Sequence, residues 1–191
     1  MMQELRCSWT QSDPIKIAYH DQEWGIPSYD DTYLFELLNL EGAQAGLSWI
    51  TILKKREGYR KTFHHFNINQ CASLSNTELC KILATGEIIR NRLKVEAVRN
   101  NAIATQKIQE SFGSFSDYIW QFTDFQPIVN HWTSTTQTPV QNTLSEKISK
   151  DLKQRGFKFV GPIIIYSYLQ AIGIIDDHVI TCPFHTENRS S

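Results

Sequence analysis

Cysteine, glycine and proline are all scarce. The 191-residue chain holds 4 Cys, 9 Gly and 6 Pro. Four cysteines are too few for a small disulfide scaffold, and so little glycine and proline excludes a collagen-like or linker-rich chain. Long apolar runs are missing too. The longest mostly apolar stretch, Pro162 to Ile175, is interrupted by Ser167 and Gln170 and is too short to span a bilayer. Met1 to Arg6 contains no apolar run, so no signal peptide is expected. These absences point to a cytoplasmic protein with no membrane partner, in which paired cysteines would bind metal. Nor does one sign of charge dominate, since 19 basic against 20 acidic side chains leave a net charge of −1.

What is present is enough for a core: 41% hydrophobic and 12% aromatic residues. The length suits one domain over 1–191, or one domain with a small lobe. The charge is unevenly spread. Residues 1–41 carry 8 acidic and 2 basic side chains, and 14 of the 19 basic residues fall in Lys54–Lys61, Arg90–Arg99 and Lys147–Lys158. Together these segments could present a basic face to a polyanion; taken singly, each also reads as a solvated helix face.

The periodicity is helical throughout and argues against a sheet. Asp30 or Asp31 can cap a helix that places Leu34, Leu37 and Leu38 on one face, and a second helix covers roughly Ser48 to Phe63. Ser75-Asn76-Thr77-Glu78 is a capping box. Val95, Val98, Ala102 and Thr105 mark a longer helix, and Ser114 to Phe122 a short aromatic one. Thr123 to Gln141 has little periodicity and reads as a surface excursion. Near the C-terminus, Thr143-Leu144-Ser145-Glu146 reads as another capping box, Gly156 as a helix stop and Pro162 as the first residue of the next helix, which runs to about Gly173. This helix, hairpin, helix unit over about 144–173 would expose backbone N–H groups suited to a phosphate; an ordinary helical hairpin has the same spacing.

Cys7 and His20 near one end, with His178 and Cys182 near the other, form a donor set suited to tetrahedral zinc. His178 and Cys182 have the spacing of one helical face, and His185 is a competing ligand. Buried free cysteines and surface histidines are the alternative reading. Cys71 and Cys80 have no assignment. Elsewhere Trp9, Tyr19, Trp24 and Trp49 lie close in sequence to Glu23 and Glu41. One carboxylate among aromatic faces suits a flat cation carrying hydrogen-bond donors; the same tryptophans also serve as core filler.

Six segments together resemble the DNA-3-methyladenine glycosylase I family of bacterial alkylation-repair enzymes, over nearly the whole chain. They are Arg6-Cys7-x-Trp9, Ala18-Tyr19-His20-Asp21-x-Glu23-Trp24-Gly25, Leu40-Glu41-Gly42-x-Gln44-Ala45-Gly46-Leu47-Ser48-Trp49-Ile50, Ile88-Ile89-Arg90-x-Arg92-x-Lys94, Arg155 to Gly161, and Asp177-His178-x-x-x-Cys182. The resemblance implies an all-α helix-hairpin-helix glycosylase fold of two helical lobes and a monomeric enzyme; since no lysine stands out as a Schiff-base nucleophile, a monofunctional one is expected. It would flip 3-methyladenine out of double-stranded alkylated DNA and hydrolyse its glycosidic bond. A non-catalytic sensor of alkylated DNA on the same fold is the alternative.

By the same resemblance one structural Zn2+ is held by Cys7, His20, His178 and Cys182. Glu41 contacts the base and acts in catalysis, Tyr19 and Trp49 stack on it, and Trp9 and Trp24 complete the pocket. Gly46 and Leu47 wedge into the duplex, and the hairpin from Phe159 to Gly161 anchors a phosphate. Lys16 departs from the family pattern, where a tyrosine can stand, and is expected to face solvent or phosphate. Pro183-Phe184-His185 also departs from it and would make His185 a neighbour of the zinc. Asp176 stands where the wider superfamily carries a catalytic aspartate that this family does without.

Overall fold

The computed structural model describes residues 6–189, so most of the Met1–Arg6 segment lies outside it. Among the described residues the chain is mostly helical: α1 (Pro14–Gln22), α2 (Asp31–Gln44), α3 (Trp49–Thr62), α4 (Ile68–Ala72), α5 (Asn76–Ala84), α6 (Arg92–Phe112), α7 (Phe115–Trp120), α8 (Thr143–Gln154) and α9 (Pro162–Ala171). No described helix is long and apolar enough to cross a membrane.

Local capping sets most of the boundaries. Asp30, not Asp31, caps α2 by accepting from the Tyr33 N–H. Asp31 instead accepts the Phe115 and Ser116 N–H groups at the start of α7, where an anion is favoured by the exposed amides. The Ser75–Glu78 capping box opens α5 as its sequence predicts. The box on α8 sits one residue earlier than its sequence suggests: Asn142, not Thr143, is the cap, and it pairs reciprocally with Ser145. Asparagine caps as well as threonine does, and the Ser145 hydroxyl reaches back in place of a glutamate. Gly156, at φ 92°, stops α8, and Pro162 opens α9.

One expectation fails and another is narrowed. The stretch after α7 is not wholly irregular: β1 (Ile128–Val129) and β2 (Ile175–Asp176) form a two-stranded parallel sheet. Such short pairing leaves no periodic signal, because the partner that completes it lies far away in sequence. The basic face is also smaller than the residue count suggests. Arg56 is buried between Glu36 and Glu23, Arg60 pairs with Glu36 and Glu57, and Arg92 and Arg155 pair along their own helices.

Helix α2 is the axle of the fold. Every residue from Leu34 to Ala43 is buried, so it is covered on all sides. Helices α3, α6, α7 and α9 pack around it. The turn between α8 and α9 docks directly on α2. A side chain at Gly42 would press on the Cβ and carbonyl of Phe159, about 3.0 and 3.1 Å away. The same turn is held by Asn101, which accepts from the Lys158 N–H at 2.8 Å, and by Ser149, whose hydroxyl donates to the Val160 carbonyl at 2.6 Å.

Gly173 turns the chain out of α9 at φ 74°, and a Cβ there would run into the backbone of Ile26 and Pro27. Backbone cannot rotate aside as a side chain can. Gly173→Ala should therefore cost about 3 kcal/mol or more, read as a lower urea midpoint with unchanged slope.

Candidate functional site

Three polar side chains are buried along the axle helix: Glu36, Asn39 and Glu41. The first two are fully occupied. Glu36 accepts from Arg56 and Arg60, while Asn39 donates to the Phe35 carbonyl and accepts from Asn101. Glu41 as a residue is only 4% exposed, and its side chain, which lines a cavity, has no hydrogen-bond partner among the described residues. Burial pushes its pKa up from 4.5 to about 8. A carboxylate without a protein partner at a cavity wall is available to a ligand.

Glu41 opens into a cavity of about 170 Å³ lined by Trp9, Tyr19, Trp24, Gln44, Trp49, Ser167 and Gln170. The tryptophans and Tyr19 are thus brought together as a wall and are not mere core filler. Trp9 and Trp24 meet edge to face with centroids 5.1 Å apart, and Tyr19 and Trp49 tilt against each other at 5.3 Å. Three polar hydrogens in this wall, those of Trp9 Nε1, Tyr19 Oη and Trp49 Nε1, are also buried without partners. Burial, and the nearby Glu41, raise the Tyr19 pKa, so its phenol keeps its proton. The cavity is flat-walled, aromatic and lined with unfilled donors and acceptors. It suits a planar heterocycle, and an ionised Glu41 would welcome a positive one.

A second cleft of about 180 Å³ shares Glu41, Gln44 and Ser167 and continues to Ala45, Gly46, Leu47, Ile163 and Ile164. Leu47 stands 40% exposed at its rim. Lys94 holds this loop by donating to the carbonyls of Ala43 and Ala45 at 2.8 and 2.7 Å. Phe159 and Gly161 lie in the α8–α9 turn, on the α2 side of the fold. Its chain neighbours apart, no atom of the described residues lies within 4 Å of where a Cβ at Gly161 would be, which leaves room for a ligand there.

Behind the aromatic wall sits the cysteine–histidine cluster. The ligand atoms of Cys7, His20 and Cys182 lie within 4.8 Å of one another, all buried. His178 falls outside that limit, but its ring is 4.6 Å from His20 and its Nε2 is buried without a partner. Each histidine has Nδ1 held by a carboxylate at 2.7 Å, His20 by Asp21 and His178 by Asp176; Nε2 of His20 then meets the Cys182 sulfur at 3.6 Å, while Nε2 of His178 has no partner. That is how metal-ligating histidines are oriented. The hydrogen bond from Cys7, together with His20, holds the Cys182 thiol well below its ordinary pKa, as a ligand thiolate requires. The donor set and its orphaned nitrogen therefore fit a zinc ion. His20 and His178 contact Trp24 directly, so cluster and pocket share a wall.

Two expectations, on the helical spacing of His178 and Cys182 and on His185, need correction here. His178 and Cys182 are not on a helix; Val179 to Cys182 is a turn closed by the Cys182 N–H on the Val179 carbonyl. His185 is no ligand, since its Nε2 bonds the Asn130 carbonyl and its Nδ1 accepts from the Glu187 N–H. Lys16 turns away from the cavity as expected, towards the Trp9 carbonyl and Gln11. Cys71, buried against the Phe63 carbonyl, and exposed Cys80 stand apart from the cluster. Asp176 does not line the pocket; it is 1% exposed and both its oxygens are taken by His178 and Thr186. Burial would raise its pKa, and those hydrogen bonds outweigh it and hold the carboxyl well below the usual range.

Sequence reasoning missed Gln44, Ser167 and Gln170 as pocket walls. The signal was there for two of them: Ser167 and Gln170 are the polar interruptions in an otherwise apolar helix, three apart and so on one face.

The chain is 44% identical over 184 residues to DNA-3-methyladenine glycosylase 1 of Escherichia coli strain K12, covering 96% of this chain and 98% of that protein. A crystal structure of 3-methyladenine DNA glycosylase I superposes with a TM-score of 0.92 at 45% identity, covering 94% of this chain and 99% of the other. A variant of 3-methyladenine DNA glycosylase I in complex with 3-methyladenine gives 0.92 at 37% identity, covering 94% and 96%. The family model described as methyladenine glycosylase matches residues 9–186. With pocket geometry, sequence and superposition in agreement over nearly its full length, the chain belongs to the methyladenine glycosylase family.

Proposed function

We infer that the chain is a DNA glycosylase that excises 3-methyladenine from alkylated DNA in base excision repair. The observation that carries the reading is the unpaired carboxylate of Glu41 in a cavity walled by Tyr19, Trp49, Trp9 and Trp24. Methylation at N3 makes adenine cationic and weakens its glycosidic bond. The enzyme needs to extrude the nucleotide, hold the base and admit water to C1′. Tyr19 and Trp49 stack on the base, and Glu41 accepts its donors and favours its charge. Leu47 and Gly46 enter the duplex beside the lesion, while the α8–α9 turn, a helix-hairpin-helix element, anchors the backbone through Phe159 to Gly161. The pocket wall contains no lysine, which favours base release without a Schiff base and strand cleavage.

Cys7, His20, His178 and Cys182 would hold one Zn2+. Four protein ligands close a tetrahedral site, so the ion would supply structure by tying the N-terminal segment to the C-terminal turn behind Trp24. A cytoplasmic monomer acting on double-stranded DNA completes the reading.

Chromatography of free base released from methylated duplex DNA tests this function. Many turnovers of 3-methyladenine per enzyme support it; tight binding of the lesion without release would make the chain a sensor. Asp176 should act only through His178. Asp176→Asn is expected to slow single-turnover excision by less than about tenfold, or roughly 1.4 kcal/mol of barrier. A loss of several hundredfold in a fully zinc-loaded variant would make Asp176 catalytic.

A further inference from the structure

Behind the pocket wall lies a second buried carboxylate, Asp177, which is 1% exposed and not itself part of the lining. Its Oδ1 accepts from Asn130 Nδ2 at 2.7 Å and Trp132 Nε1 at 2.6 Å. Its Oδ2 accepts from Tyr166 Oη and Gln170 Nε2, both at 2.7 Å. Four donors converge on two oxygens, which is the full acceptor capacity of a carboxylate. These donors come from α9 and from the segment after β1, so the short parallel sheet has a purpose: it carries Asn130 and Trp132 to Asp177.

The consequence falls on Gln170. An amide facing a carboxylate presents its NH2 group, because its oxygen would meet oxygen. Gln170 also has its backbone carbonyl tied to the Gly25 N–H at 2.9 Å. Its side chain lines the base cavity, and its Oε1 accepts no hydrogen bond among the described residues. The amide is thus pinned in one orientation, with an unfilled acceptor beside the pocket.

We propose that Gln170 is a specificity-determining residue and Asp177 its positioning residue: the pinned Oε1 reads the exocyclic amino group of an adenine and opposes the keto oxygen of a guanine. Adenine carries a donor at that ring position and guanine an acceptor. A fixed acceptor facing the guanine oxygen leaves two acceptors opposed and both unpaired, the arrangement by which a polar site rejects the wrong analogue. Glu41 does not enforce this choice by itself. A free-standing carboxyl can exchange its proton and so donate as well as accept. The Gln170 amide, held at Nε2, cannot make that exchange. The proposal rests on the glycosylase reading and deepens it.

The test is single-turnover release of 3-methyladenine and 3-methylguanine from the same methylated duplex DNA. The enzymes compared are wild type and Gln170→Met, which keeps the volume and removes the acceptor. The expected result is a roughly tenfold slower release of 3-methyladenine, a loss of about one hydrogen bond, with 3-methylguanine release unchanged or faster. A purely structural role would lower both rates by one factor. An unchanged ratio of the two rates therefore overturns the proposal, whatever the absolute rates, and wild-type protein releasing neither base would instead overturn the glycosylase reading. The part played by Asp177 is read in the unaltered protein, from hydrogen exchange of the Gln170 side-chain amide by nuclear magnetic resonance. Slow exchange with and without 3-methyladenine is expected; exchange as fast as that of a surface glutamine overturns the positioning role.

Discussion

Glu41→Gln should slow excision of 3-methyladenine by roughly 10²-fold or more while making the folded protein more stable in alkaline solution. The first effect follows from losing a negative charge opposite a cationic base in a desolvated site, where one such group contributes on the order of 3 kcal/mol to the barrier. The second follows from linkage. The folded-state pKa of Glu41 lies near 8 against an ordinary 4.5. Between those values the folded protein holds a proton that the unfolded chain has released, so stability falls as pH rises through the window. Above pH 8 the full cost of burying the charge is borne, on the order of a few kcal/mol. Glutamine has the same shape and no charge to bury. The urea midpoints of the two proteins should coincide below pH 4.5 and diverge progressively up to pH 8, the variant being the more stable. Parallel stability profiles at all pH values would show that Glu41 is not desolvated as described.

If the cluster holds zinc as proposed, removing the metal should have the second large effect. Structural zinc sites in small domains bind with about 10–16 kcal/mol of free energy that becomes folding free energy. In a chain of this size most of the core forms without the ion, so a smaller share is expected here. Chelation under mildly denaturing conditions, or Cys182→Ser, should lower the melting temperature by about 10 °C, equivalent to roughly 3–4 kcal/mol. Elemental analysis of freshly purified protein should give one zinc per chain. His178→Ala tests the fourth ligand separately: it should retain the ion more weakly, because Cys7, His20 and Cys182 already converge. Protein that contains no zinc and melts identically with and without chelator would remove the site.

Both effects bear on the same wall. Trp24 touches His20 and His178 on one side and the base cavity on the other. Loss of the ion should therefore also loosen the pocket, and excision should fall together with stability. Glu41→Gln separates the two, lowering excision while stability rises.

The sequence by itself determined whatever depends on neighbours within a helical turn or two. The cap at Ser75, the stop at Gly156, the start at Pro162 and the buried stripe of Val95, Val98, Ala102 and Thr105 all lie where local pattern places them. It also singled out the aromatic residues, Glu41 and the four metal-binding candidates, through six motifs whose combined spacing is highly specific. Tertiary structure alone decided which of several chemically equal groups are free. Glu36 and Glu41 lie five residues apart on one buried helix, yet only Glu36 has partners, because Arg56 and Arg60 reach it from α3. His178 and His185 are both buried, yet His185 spends both nitrogens on Asn130 and Glu187 while His178 keeps one. Gln170 became legible only when Asp177, Trp132 and Asn130 were brought together from separate segments. Hydrogen-bond satisfaction is a sum over contacts distant in the chain, so no local pattern reports it, and the unsatisfied remainder marks the site.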